Sequence, residues 1–89
     1  MAEMIVEIVS LDRPVWTGTA RMVRVRTTEG DIGILPGHEA VAGLLKAGGF
    51  AVDPVSGSRL EGTIDAGFLF MDNDRVTIVA DNVELPASA

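Results

Sequence analysis

The chain has 89 residues, 47% of them apolar, which suits one packed domain with a modest core and excludes a second domain or a disordered chain. With no cysteine and one histidine, it has no disulfide, no thiolate chemistry and no Cys- or His-rich zinc site. Seven basic residues against thirteen acidic ones give a net charge of −6, a balance that repels phosphate backbones and anionic lipid.

Ten glycines and four prolines punctuate the chain so closely that short strands are favoured over long helices. Met4–Ser10 is the first strand, with Met4, Val6 and Ile8 on one face and Ile5, Glu7 and Val9 on the other. Two mostly apolar faces suit an inner strand. Leu11-Asp12-Arg13-Pro14 reads as a turn. Val15–Thr27 is the longest strand, and its apolar phase slips at Met22–Val23. Since a slip of one residue reverses every side chain, a β-bulge or a crossing between sheets is expected there, with Arg21, Arg24 and Arg26 pointing outward.

Thr28-Glu29-Gly30-Asp31 is a loop, and Ile32–Leu35 a short strand ended by Pro36-Gly37. Glu39–Lys46 reads as the one short helix, because Val41, Leu44 and Leu45 fall at i, i+3 and i+4 and Gly48-Gly49 stops it. Phe50–Asp53 and Leu60–Ala66 flank a loop over residues 54–58. Ile64, Ala66, Phe68 and Phe70 alternate with Asp65, Gly67, Leu69 and Met71, and this period places Phe68 and Phe70 in the core. Asp72-Asn73-Asp74 is a turn, and Arg75–Ala80 follows with Val76 and Ile78 inward.

The pattern as a whole predicts an all-β fold, an antiparallel β-sandwich or flattened barrel with at most one short helical segment. The domain is expected over 1–82, with a flexible tail over 83–89. The longest apolar stretch, Ala40–Leu45, is far short of a membrane span. The N-terminal Met-Ala-Glu-Met carries no basic segment ahead of an apolar one, so no signal peptide is expected and a cytosolic location is.

Residues suited to chemistry are few. His38-Glu39 is the only neighbouring pair suited to proton transfer, and adjacency on a Pro-Gly turn supplies neither an orienting group nor a pocket. Asp72 and Asp74 begin like a calcium loop, but the glycine and the later glutamate are missing. No P-loop or G-x-G-x-x-G is present. Trp16 and three phenylalanines are too few for a base-stacking platform, and Trp16 suits a core edge or an interface anchor. The glycine-rich segment from Glu29 to Glu39, polar at both ends and apolar in the centre, is the best candidate for a presented binding surface.

That segment, Gly30-Asp31-Ile32-Gly33-Ile34-Leu35-Pro36-Gly37-His38-Glu39, closely resembles the signature of the epsilon-subunit family of the bacterial F-type ATP synthase. Val6-Glu7-Ile8-Val9-Ser10 followed by Trp16-Thr17-Gly18, then Ala66-Gly67-Phe68-Leu69, then Val76-Thr77-Ile78-Val79-Ala80-Asp81, agree with it in order. The resemblance implies a β-sandwich of about ten strands. It also implies a non-catalytic part of the central stalk, a rotor subunit that links the gamma subunit to the ring of c subunits and helps couple proton transport to ATP synthesis. No catalytic, cofactor or metal site is implied, and the location would be the cytoplasmic face of the plasma membrane, peripheral through the complex. Thr28, Glu29, Gly30 and Asp31 are the implied c-ring contacts. Ser10, His38, Val41, Ala42, Gly43 and Leu44 are the implied gamma contacts.

The resemblance is imperfect at Ala40, where the family commonly has proline, and at Ala66, where it has glycine. The family's pair of C-terminal helices has no counterpart in these 89 residues, so the inhibitory role of those helices is not implied. The alternative is a free-standing β-sandwich adaptor that joins other proteins.

Overall fold

The computed structural model describes residues 2–85, and every regular element within them is a strand. In chain order these are β1 (Met4–Ser10), β2 (Arg13–Thr27), β3 (Gly30–Ile34), β4 (Val41–Leu45), β5 (Gly48–Pro54), β6 (Leu60–Ile64), β7 (Gly67–Asp72), β8 (Arg75–Ala80) and β9 (Val83–Glu84). They form one sheet in the order β1-β8-β7-β4-β2-β5-β6-β9, with β3 attached to β2 and a further pairing of β1 with β2. β2 pairs with β1 along its first half and with β5 and β3 along its second, then meets β4 at Thr27. One long strand thus closes the sheet into a flattened barrel, 31 × 30 × 21 Å.

The expected slip in β2 is present. Ala20 pairs with Pro54 and Met22 with Asp53, so Arg21 is an extra residue between them. The bulge turns Ala20 and then Val23 and Val25 inward, which lets one strand serve both layers. Arg21, Arg24 and Arg26 are exposed as expected.

The core is one cluster drawn from both layers, with Met4, Val6 and Ile8 of β1 meeting Val23 and Val25 of β2, Leu69 and Met71 of β7, and Val76 and Ile78 of β8.

Four expectations change. The sheet is mixed, because β1 runs parallel to β8; the chain between them supplies the long connection that a parallel pair requires. Glu39–Lys46 contains no helix. Val41–Leu45 is β4, paired residue for residue with Met71–Gly67 of β7. Two helical turns have little stability of their own, whereas β7 offers a complete ladder, so tertiary pairing overrides the i, i+3, i+4 spacing. Phe68 and Phe70 point outward, half-exposed, and Leu69 and Met71 fill the core. The period-two run crosses a break at Asp65-Ala66 between β6 and β7, where the phase reverses. Finally, the sheet continues past residue 82: Val83 is buried and pairs with Ile64. Residues 86–89 of the expected tail lie outside the described residues.

Gly37 adopts φ 86°, as its place after Pro36 demands. Its N–H donates to Asp74 Oδ1 at 2.7 Å, tying the turn after β3 to the β7–β8 hairpin. An added Cβ would meet nothing within 4 Å, so Gly37→Val tests backbone conformation alone. The expected loss is about 1–3 kcal/mol, read as a drop in melting temperature of at least ~4 °C. A shift near zero would show that the conformation carries no cost.

Candidate protein-interaction surface

The residues Thr28–Asp31 sit at the tip of the β2–β3 hairpin. Thr27 organises the tip: its hydroxyl donates to the Gly30 carbonyl at 2.7 Å and accepts from the Glu29 N–H at 3.1 Å. Arg26 Nε donates to Asp31 Oδ1 at 3.2 Å. Both side chains are exposed, so this pair orients the tip more than it stabilises the fold. Glu29 projects with no ion pair among the described residues.

β4 lies beside this tip. Its odd residues face inward, ending at buried Leu45, and Ala42 and Leu44 face out. A cleft of about 170 Å³ separates β4 from the hairpin, lined by Thr28, Glu29, Ile32, Ala42 and Leu44 among others, with Leu69 beneath. The segment expected to meet the c-ring and the segment expected to meet gamma therefore form two walls of one feature.

Ser10 and His38 stand apart from it in different ways. Ser10 pairs with Ala80 at one end of β8 and is buried, its hydroxyl lying 2.9 Å from Asp12 Oδ1 and 3.0 Å from the Arg13 carbonyl. It holds the β1–β2 turn. His38 follows the Gly37–Asp74 link at the other end of β8, and its Nδ1–H donates to the Glu39 carbonyl at 2.7 Å. The ring is thus engaged by its neighbour's backbone, and the Glu39 carboxylate does not orient it for proton transfer. Asp74, half of the calcium-like pair, accepts the Gly37 N–H instead. Among the described residues no group of three or more His, Asp or Glu side chains is arranged to hold a metal.

The outer face of β4, β7, β8 and β1 is the feature that the sequence reading missed. Register sets Leu44 beside Phe68, Phe68 beside Val79 and Val79 beside Val9. Phe70 lies in the next row, its ring 6.3 Å from that of Phe68. Leu44, Phe68 and Phe70 are 54%, 50% and 48% exposed. A contiguous, half-exposed apolar row of this kind is a candidate interaction surface. Its only sequence signal was the Asp65-Ala66 interruption, which decides which half of an apolar-on-both-faces run points out.

Comparison with known proteins follows the same lines. Residues 3–86 match the family model for the β-sandwich domain of the ATP synthase delta/epsilon chain. The chain is 43% identical over 86 residues to the ATP synthase epsilon chain of Rhodococcus erythropolis, covering 96% of this chain and 70% of that one. It is 45% identical over 82 residues to the ATP synthase epsilon chain of Corynebacterium aurimucosum, covering 91% and 67%. Its fold matches a chain in the Euglena gracilis mitochondrial ATP synthase with a TM-score of 0.89 at 24% identity. The match covers 96% of this chain and 54% of the Euglena chain, so this chain spans about half of that one.

Proposed function

This chain belongs to the delta/epsilon chain family of ATP synthase, and from that premise we propose that it is a non-catalytic rotor subunit of the central stalk. It binds the gamma subunit, rests on the c-ring and helps couple proton flow to ATP synthesis, at the cytoplasmic face of the plasma membrane. The observation that carries the reading is the match across residues 3–86, supported by 43% identity to an epsilon chain over nearly the whole length. In this reading membrane association is through the complex; no helix among the described residues is long and apolar enough to cross a bilayer.

The gamma contact runs from His38 through Val41, Ala42, Gly43 and Leu44 and onto the aromatic row at Phe68 and Phe70. Ser10 takes part through the turn that it holds. Torque transfer needs a broad, well-packed contact, which an apolar sheet face provides and isolated surface charges do not. The c-ring contact is the hairpin tip Thr28–Asp31, where Glu29 and Asp31 offer carboxylates to basic side chains.

Titration of the chain against purified gamma subunit is expected to give a one-to-one complex with a dissociation constant in the micromolar range or below, about −8 kcal/mol or stronger. Absence of binding at micromolar concentration would overturn the stalk assignment.

A further inference from the structure

We propose that the free edge of β4 takes up an extended segment of the gamma subunit as an added strand, seated in the cleft between β4 and the β2–β3 hairpin. The proposal rests on the stalk assignment above and names the mode of contact.

β4 pairs with β7 along its whole length but meets β2 at a single position, Thr27 opposite Leu45. β3 pairs with β2 alone. The β4 edge therefore faces the cleft and the tip of the β2–β3 hairpin, with no strand laid along it among the described residues. At its closed end the Thr28 N–H donates to the Leu44 carbonyl and the Lys46 N–H to the Arg26 carbonyl. Backbone groups alternate between the two edges of a strand, so the even-numbered residues of β4 address the cleft and the odd ones address β7. Past Leu44 the ladder stops. The N–H of Leu44 and both backbone groups of Ala42 face the cleft with no strand partner among the described residues.

Exposed strand edges are normally blunted by a charge, a proline or a bulge. Val41-Ala42-Gly43-Leu44-Leu45 carries none of these. An unprotected edge calls for a strand to cover it, because only an extended backbone satisfies alternating donors and acceptors. The cleft adds specificity. A cavity of about 150 Å³ admits a benzene ring, so 170 Å³ takes one aliphatic or aromatic side chain over Leu69. Ile32, Val41, Ala42, Leu44 and Leu69 give the cleft apolar walls, so the incoming strand is expected to carry one apolar residue that fills it.

Amide hydrogen exchange of the full chain, alone and with purified gamma, tests this directly. The Ala42 and Leu44 amides should exchange rapidly in the free chain and become protected in the complex. Ala42→Pro removes the cleft-facing N–H without touching the β7 ladder and should weaken gamma binding about tenfold or more; full-strength binding by this variant, with its melting temperature kept, would overturn strand addition. If gamma binds but both amides stay unprotected, strand addition is overturned and the stalk assignment stands. Absence of gamma binding removes both. Protection that rises with the concentration of the free chain would assign the edge to a second copy and overturn the proposal.

Discussion

Replacing Gly67 with alanine is expected to lower the unfolding free energy by about 3 kcal/mol or more. Gly67 opens β7 and pairs with Ala80. A Cβ there would strike the Val79 carbonyl oxygen and lie 2.7 Å from the Ala80 Cα. These are backbone atoms of the neighbouring strand, so relief requires the β7–β8 pair to part, and a side-chain rotation does not help. A chain of 89 residues has a total stability of roughly 4–13 kcal/mol, so one methyl group would remove a large share of it. Urea unfolding of the purified variant measures the loss. A change below about 0.5 kcal/mol would mean that β7 and β8 are not packed this closely.

Leu69→Ala and Phe70→Ala, one residue apart, are expected to separate stability from binding. Leu69 is fully buried, and truncation should cost about 2–5 kcal/mol through lost burial and the cavity left behind. Phe70 is half-exposed on the opposite face, and the same change should leave thermal stability within about 1 kcal/mol of the parent. It should nonetheless weaken gamma binding by a factor of about ten or more, since aromatic anchors carry a disproportionate share of interface energy. If Phe70→Ala unfolded the chain and Leu69→Ala did not, the strand phase would be reversed and the outer apolar row would not exist.

The pair shows where a one-dimensional pattern runs out. Both phases of Phe68–Met71 are apolar, and alternation there cannot say which faces the core. The choice is made by the Asp65-Ala66 break and by β4 and β8 on either side of β7. The same holds for Val41–Leu45, where three apolar residues fit a helical period and a strand equally well. A stretch that short takes its conformation from its neighbours, and β7 had an edge to fill.

By itself the sequence determined the all-β class, the turn at Pro36-Gly37, the bulge in β2 and the outward arginines, and its ordered motifs identified the family. Each rests on residue chemistry that acts locally: glycine and proline restrict the backbone, and a phase slip within one strand is visible along the chain. Only the tertiary structure decided that Phe68 and Phe70 face outward, that Ser10 is buried in a turn while His38 lies at the far end of β8, and that Thr28–Asp31 and Val41–Leu44 wall one cleft. Those outcomes depend on which strands become neighbours, and pairing between distant segments is set by the closing of the whole sheet around a single core.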